Sequence, residues 1–231
     1  MDFDTKPPVP VAEYRAFQDI IPGINSLYAS FYAIFEESLC AEANILVAGA
    51  GGGREIETLA GSPNKYTLLG VDPSHDMLEV ARTYIPSDAG ERVQLVQGYV
   101  EDLPMDRVFD GATSVLVMHF LPDDGSKKRY LEAIRARLVE GAHFIHVDVS
   151  IESDLEAISL SPVLTRHGAM AGLPDHVLTG PAAFACAMRA ADKRCIVDPE
   201  RNRALLEEAG FEVISPFFRS LWFTGWWGRA V

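Results

Sequence analysis

The sequence has few cysteines and few basic residues. Its 231 residues include 3 cysteines and 20 lysines and arginines against 33 acids, for a net charge of −13. The cysteines match no spacing typical of a metal or redox site, so we expect reduced thiols at Cys40, Cys186 and Cys195. We therefore predict no disulfide framework and no metal site.

The shortage of positive charge also limits the partners. Only the short group at 127–129 concentrates lysine and arginine, and an acidic surface repels a phosphate backbone, so we expect no nucleic-acid partner. No apolar run approaches the roughly 20 residues that span a bilayer. The acidic, proline-rich stretch at 1–10 is unlike a signal peptide. We expect a cytoplasmic protein with no membrane partner.

The most informative stretch is NILVAGAGGGRE at 44–55. Residues that favour β-strands run into a cluster of glycines and then into the helix-like REIETLA, which predicts a buried strand, a tight turn and a helix. Glycines permit positive φ angles and let a ligand approach the main chain, and the N–H groups at a helix start favour an anionic or polar group. The turn is therefore a candidate ligand site.

A second strand-like run, YTLLGVD, ends in Asp72. In a doubly wound sheet, an acid at the tip of the second strand lies beside the glycine turn and can accept hydrogen bonds from the hydroxyls of a ribose. The combined pattern predicts a cofactor with a nucleoside part. The alternative is that the glycines allow close helix packing and Asp72 caps the next helix.

The rest of the chain predicts an α/β, Rossmann-like doubly wound sheet of about seven strands. Before the core, apolar and aromatic residues at helical spacing predict two helices that break at Pro22-Gly23. The core alternates, with strands at 44–48, 66–72, 92–97, 109–117 and 142–149 and helices at 53–60, 74–84 and 126–139.

The predicted organisation is a helical flap at 1–43 and a core at 44–231. The stretch at 150–195 breaks the alternation and predicts a helical insertion of short helices and turns, either a lid over an acceptor pocket or plain covering helices. A last helix from 198 and two nearby strands predict a closing antiparallel hairpin. Its sequence LWFTGWW is apolar on both faces, which predicts either cover from the insertion or a homodimer contact.

Together, VAGAGGGRE, GVDPSHDML, GYVEDLP, FDGATSVLVMHFL, YLEAIRARLVEGAHFIHVDV and EEAGF resemble the class I S-adenosylmethionine-dependent methyltransferase superfamily, over about 44–150 and 198–231. The resemblance implies S-adenosylmethionine as cofactor. The acidic surface adds the expectation of a small-molecule acceptor, although no residue pattern identifies the acceptor or the methylated atom.

The resemblance also implies site residues. The glycine turn would wrap the methionine part of the cofactor, Asp72 would bind the ribose, and Met77 or Pro73 would pack on the adenine. The next loop would border the adenine edge, and the exit of the fourth strand would lie near the sulfonium. The implied cofactor-binding residues are Gly49, Ala50, Gly51, Gly53, Asp72, Pro73, Met77, Val100, Glu101, Val117 and Met118.

Two residues depart from the family pattern, since Val47 and Tyr99 stand where many members have acids. They are compatible with a cofactor-binding subunit that has lost turnover. The segment IPGINSLYASFYAIF and the insertion also resemble carboxy-S-adenosylmethionine synthase, in which Arg189 would be the counterpart of a carboxylate-binding arginine. That synthase, or another non-methylating enzyme on the same fold, is the alternative function. An NAD-dependent oxidoreductase would share the glycine turn and the acid after the second strand. The closing antiparallel hairpin does not suit that class of enzyme.

Acceptors that must lose a proton need a base. His119 at the exit of the fourth strand is the first candidate for a catalytic role, followed by His146, Asp148 and His167, and the alternative for His119 is a packing role. For the substrate, the candidates are Tyr28, Tyr32 and Arg15 in the N-terminal helices, together with Arg189. Most N-terminal aromatic residues are expected to pack on the sheet.

Overall fold

The computed structural model describes residues 11–106, 108–178 and 195–231. Its strands are β1 Asn44–Ala48, β2 Thr67–Asp72, β3 Val93–Gln97, β4 Phe109–Val115, β5 Leu138–Val149, β6 Phe211–Ser220 and β7 Phe223–Ala230. Its helices are α1 Tyr14–Gln18, α2 Ile24–Ser38, α3 Arg54–Ala60, α4 His75–Arg82, α5 Ser126–Arg135, α6 Asp154–Met170, α7 Asp175–Leu178 and α8 Pro199–Glu208. Short 3-10 turns lie at Val100–Asp102 and Met118–Phe120.

The strands form one seven-stranded sheet in the order β3-β2-β1-β4-β5-β7-β6. Neighbours from β3 through β5 are parallel, and β7 runs antiparallel between β5 and β6. The predicted fold class, including the closing hairpin, is confirmed. Because the strand order reverses beside β1, a crevice opens at the carboxyl ends of β1, β2 and β4, which is where such sheets bind ligands.

The two faces of the sheet are covered by different parts of the chain. Along β1, Ile45 and Val47 pack into the apolar cluster that includes α2 and α3, whereas Leu46 and Ala48 pack into the cluster that includes α5 and α8. Alternate side chains of a strand point to opposite faces, so a strand covered on both sides needs a continuous apolar run. This explains the sequence of β1.

Side-chain caps fix where two helices around the sheet begin. Ser74 Oγ accepts a hydrogen bond from the Met77 N–H at 3.4 Å and starts α4, which sets the chain direction just after β2. Asp198 caps α8 in the same way, and Pro199 follows it at the first helical position. Gly210, at a φ of 90°, lets the chain leave α8 for β6.

Several element boundaries differ from the sequence prediction. β4 ends at Val115, two residues early, because Leu116 takes a left-handed φ of 59° that no strand can continue. β5 begins at Leu138, which pairs with Phe109, so the helix predicted to 139 ends at Arg135 instead. Gly141, at a φ of 78°, lies within β5 where its pairing with β4 shifts register, whereas the strand was predicted to begin only at 142.

The insertion contains a longer helix than predicted. α6 has 17 residues and continues through Pro162, where a break was expected. Its buried side includes Leu164, which belongs to the same apolar cluster as Ile20, and His167 Nδ1 lies 3.1 Å from the carbonyl oxygen of Ile20. Packing against the N-terminal segment offsets the hydrogen bond that proline cannot make.

The aromatic hairpin is covered by the chain itself. Trp222, Phe223 and Trp226 are only 1%, 7% and 9% exposed. Trp226 faces the α5 and α8 side, and Phe223 faces the α2 side. No helix in the described part of the chain is long and apolar enough to cross a membrane.

Candidate functional site

The glycine turn leaves no room for side chains. Gly49, Gly52 and Gly53 have φ angles of 79°, 84° and 72°. A Cβ built on Gly49 would lie 2.2 Å from Val117 Cγ2, so the end of β4 packs directly on the bare backbone. Glycine at 49, 52 and 53 is therefore required by the backbone angles, and at 49 also by the close approach of the segment after β4.

Asp72 ends β2 with its carboxylate turned toward the glycine turn. Its Oδ2 accepts a hydrogen bond from the Gly51 N–H at 3.0 Å, and its Oδ1 accepts one from the Ser74 N–H at 2.9 Å. Burial raises the pKa of Asp72 above its ordinary value, and the hydrogen bonds from Ser74 and Gly51 oppose that rise without cancelling it. These two bonds hold the carboxylate in one orientation.

A pocket opens between the glycine turn, the end of β2 and the end of β4. The adjoining loop at 98–101, the Met118–Phe120 turn and α5 contribute further walls. Most of the lining is apolar or aromatic. The described residues that line the pocket are Tyr14, Gly49, Gly51, Val71, Asp72, Pro73, Ser74, Met77, Gly98, Tyr99, Val100, Glu101, Val115, Leu116, Val117, Phe120, Leu121 and Tyr130.

A hydrogen-bonded histidine and aspartate lie close to this pocket, at the carboxyl ends of β4 and β5. His119 Nδ1 is 2.6 Å from Asp148 Oδ1, and the His119 backbone N–H donates to Asp148 Oδ2 at 2.9 Å. Burial alone would raise the pKa of Asp148, but attraction to His119, with smaller contributions from His146 and Lys127, lowers it overall. Because an ionised Asp148 can only accept, His119 Nδ1 donates the hydrogen bond that joins the two side chains.

Lys127 supports the turn that carries His119. Its side chain is 1% exposed, and Nζ donates hydrogen bonds to the carbonyl oxygens of Met118 at 2.6 Å and Cys195 at 2.7 Å. Burial lowers the pKa of Lys127. The ammonium therefore joins α5 to the Met118–Phe120 turn and to the segment that precedes α8.

A second buried acid lies behind the glycine turn. Glu55, in the first turn of α3, accepts a hydrogen bond from the Tyr28 hydroxyl at 3.2 Å. Burial raises the pKa of Glu55 to about 7, although its own backbone N–H, Tyr28 and the nearby Arg54 and Arg15 act in the opposite direction. Sequence reasoning missed this residue, because a glutamate in a first helical turn is common at the surface.

The comparisons with known proteins agree with this geometry. A family model described as a methyltransferase domain matches residues 45–141, which include β1, the glycine turn and Asp72. This match supports the predicted resemblance to the class I S-adenosylmethionine-dependent methyltransferase superfamily.

Proteins that are similar to this chain in sequence or in fold come from several bacteria. An uncharacterized methyltransferase of Bacillus subtilis, YcgJ, is 35% identical over 109 residues, which are 47% of this chain and 41% of that protein. A SAM-dependent methyltransferase from Aquifex aeolicus has the same fold with a TM-score of 0.63 at 15% identity, covering 96% of this chain and all of that one. The N-methyltransferase NodS from Bradyrhizobium japonicum, solved with S-adenosyl-L-homocysteine, has a TM-score of 0.61 at 13% identity, covering 95% and 96%.

These matches do not favour the carboxy-S-adenosylmethionine synthase alternative. Around the pocket, the structure brings together eight of the predicted cofactor residues, which are Gly49, Gly51, Asp72, Pro73, Met77, Val100, Glu101 and Val117. Three others do not line it. Ala50 and Met118 are buried in the apolar clusters, and Gly53 packs against the backbone of Ala81, where a Cβ would come within 2.8 Å.

The predicted substrate residues Tyr28, Tyr32 and Arg15 do not line the pocket. Tyr28 donates to Glu55, and Tyr32 donates to Ser62 Oγ at 3.4 Å, so both hydroxyls point toward α3 and the loop after it. Arg15 pairs with the carboxylate of Glu57. The remaining candidate, Arg189, lies outside the described residues. The assignment of these residues to the acceptor stays a prediction.

The other candidate bases also have structural partners. His146 Nε2 lies 3.1 Å from Asn202 Oδ1 beneath the sheet, and His167 contacts the N-terminal segment. Of the described residues, no group of three or more histidines, cysteines and acids could hold a metal ion. His119 itself is 6% exposed and does not line the pocket directly, but its ring packs on Phe120, which does.

Sequence reasoning missed several pocket residues. Tyr130 comes from α5, and its hydroxyl lies 2.8 Å from Ser114 Oγ on β4. Leu116 reaches the pocket because of its left-handed backbone, and Tyr14 reaches it from the N-terminal α1. No local motif marks these positions. Tyr14 belongs to the run of aromatic residues at helical spacing, but Tyr28 and Tyr32 were the tyrosines predicted from that run to contact a ligand.

Proposed function

We propose that this chain binds S-adenosylmethionine in the pocket and transfers its methyl group to a small-molecule acceptor. The observation that carries the proposal is the Asp72 carboxylate, fixed by two backbone N–H groups so that it faces the glycine turn. This is the arrangement in which a carboxylate and a bare main chain bind the two halves of an adenosine-containing ligand.

The chemistry of the lining residues fits this cofactor. Each oxygen of Asp72 accepts one backbone hydrogen bond and keeps a second lone pair, so the carboxylate can still accept both hydroxyl hydrogens of a sugar. Met77 and Val100 offer apolar surface for a flat base, and Glu101 stands at the rim with an acceptor. The bare turn at Gly49 and Gly51 would hold the amino-acid tail.

The bound cofactor supplies an electrophilic methyl group on a sulfonium, so the protein's task is mainly alignment and exclusion of water. The apolar walls formed by Leu116, Val117 and Phe120 serve that exclusion. For an acceptor that must lose a proton, His119 is our candidate base, held in one tautomer by Asp148. The adjacent Phe120 links this pair to the pocket.

Two observations support a small-molecule acceptor. The net charge of −13 disfavours nucleic acid, and the pocket is recessed among apolar and aromatic side chains rather than spread over a surface. Purified protein should transfer labelled methyl from S-adenosylmethionine to small molecules in a cell extract from which macromolecules have been removed. Label appearing only on protein or RNA, or on nothing at all, would contradict the proposal.

Calorimetry tests the cofactor site directly. Wild-type protein should bind S-adenosylmethionine and S-adenosylhomocysteine, and Asp72→Asn should weaken both by about tenfold or more, because hydrogen bonds to a charged group contribute about 1.5–3 kcal/mol. Asp110→Asn is the matched control, since Asp110 also accepts a backbone hydrogen bond, from Asn44 at 2.8 Å at the other edge of the sheet. Folded wild-type protein that binds neither ligand would overturn the proposal.

A further inference from the structure

Tyr14 is the one aromatic side chain of α1 that reaches the pocket. Its ring lies directly on the glycine turn, because a Cβ built on Gly52 would fall 2.6 Å from Tyr14 Cδ1 and 2.7 Å from Cε1. The glycine at position 52 is thus required by the tyrosine ring as well as by its own backbone angle. The contact places an aromatic wall beside the backbone that would hold the cofactor's tail.

The ring is held in place by contacts on the rest of α1. Arg15 pairs with Glu57 on α3 and lies 3.5 Å from the centre of the Tyr84 ring after α4. Arg54, at the start of α3, pairs with Asp19 just after α1. These contacts attach both ends of a five-residue helix to the helices that flank the pocket. Tyr14 is therefore a fixed part of the wall.

On the pocket side, the charged residues near Tyr14 are acids. Burial raises the pKa of the Tyr14 phenol, and the carboxylates of Glu55, Asp72 and Asp148 raise it further, so the hydroxyl stays neutral. Among the described residues that line the pocket, Asp72 and Glu101 carry charge, and none is lysine, arginine or histidine. An aromatic ring in such surroundings attracts a cation through its quadrupole.

We propose that Tyr14 determines which form of the cofactor is bound: its ring, lying on Gly52 in a pocket also lined by Asp72, favours the cationic sulfonium over the neutral thioether that remains after transfer. This inference rests on the proposed function. Its consequence is that the spent cofactor is held less tightly than the fresh one, because the attraction to the ring disappears with the positive charge.

The test compares the dissociation constants of S-adenosylmethionine and S-adenosylhomocysteine, measured by calorimetry without any acceptor. Tyr14→Leu should weaken S-adenosylmethionine about 5- to 30-fold and S-adenosylhomocysteine less than about threefold, whereas Tyr14→Phe should keep the wild-type ratio. Phe17→Leu is the matched control, since it removes a ring from the same helix outside the pocket lining and should leave the ratio unchanged.

A second series keeps the fold while changing only the ring. Mono-, di- and trifluorinated phenylalanine at position 14 preserve the shape but progressively weaken the negative ring face, so affinity for S-adenosylmethionine should fall stepwise while that for S-adenosylhomocysteine stays level. Equal losses for both ligands, or no change in either, would overturn the role of Tyr14 while leaving cofactor binding intact. Wild-type protein that binds neither ligand would instead remove the proposed function itself.

Discussion

Replacing Glu55 with glutamine should stabilise the protein, and more so as the pH rises. Glu55 is 3% exposed and its pKa is raised from 4.5 to about 7 by burial. Between these values the unfolded chain has lost the proton while the folded chain keeps it, so folding is progressively disfavoured as the pH rises. The stability is fully present below pH 4.5 and is lost as the pH passes through about 7.

The size of the effect follows from that pKa difference. A difference of one in pKa is worth about 1.4 kcal/mol, so the cost of ionising buried Glu55 removes about 3 kcal/mol of stability by pH 8. Glu55→Gln avoids this loss and keeps an oxygen that can accept the Tyr28 hydroxyl. We expect its free energy of unfolding to match the wild type within about 1 kcal/mol at pH 5 and to exceed it by about 2–3 kcal/mol at pH 8.

Urea denaturation followed by tryptophan fluorescence at both pH values measures the difference. Glu57→Gln is the control on the same helix, because its half-exposed carboxylate pairs with Arg15 and should contribute less than about 1 kcal/mol at either pH. If Glu55→Gln gave the same stability difference at pH 5 and pH 8, or destabilised the protein at pH 8, the buried carboxyl would be ionised and favourable, and the reasoning would be wrong.

Two further predictions concern the turn that carries the candidate base. Lys127→Met should destabilise the protein by about 2–4 kcal/mol in urea denaturation, because it leaves the carbonyl groups of Met118 and Cys195 without their charged donor, whereas Lys128→Met, at an exposed ion pair, should cost less than about 0.5 kcal/mol. Equal losses of unfolding free energy in the two variants would refute a stabilising role for the buried Lys127 ammonium. His119→Gln should lower kcat by about 100-fold or more while the cofactor dissociation constant changes less than about threefold; an unchanged kcat would assign His119 to packing alone.

The parts of the fold that could be predicted depend on neighbours in sequence. β1, the glycine turn and the start of α4 follow from local signals, namely an apolar run, a glycine cluster and the cap at Ser74. The end of β4 could not be predicted, since nothing in the residue type of Leu116 indicates a left-handed backbone. That angle is set by contacts with β5, whose Val147 carbonyl oxygen accepts the Leu116 N–H at 2.8 Å.

The candidate site shows the same division. Asp72 and the glycines could be predicted because their spacing along the chain indicates that they lie side by side in this fold. Which N-terminal tyrosine lines the pocket depends instead on the orientation of each helix. Tyr14 and Tyr28 have the same chemistry and similar apolar surroundings in sequence, yet one covers Gly52 and the other contacts Glu55. Tyr130 depends likewise on how α5 packs against β4. Packing between segments that are distant in sequence determines which of these tyrosines line the pocket.

The left-handed backbone of Leu116 has a consequence for how the protein can evolve. A branched side chain at this angle stores about 1 kcal/mol or more of conformational strain, which glycine would release. Glycine would also remove a wall of the pocket. Selection for folding stability therefore favours glycine at this position, whereas selection for an enclosed, apolar pocket favours leucine. A protein that keeps leucine has a lower stability and a better enclosed pocket.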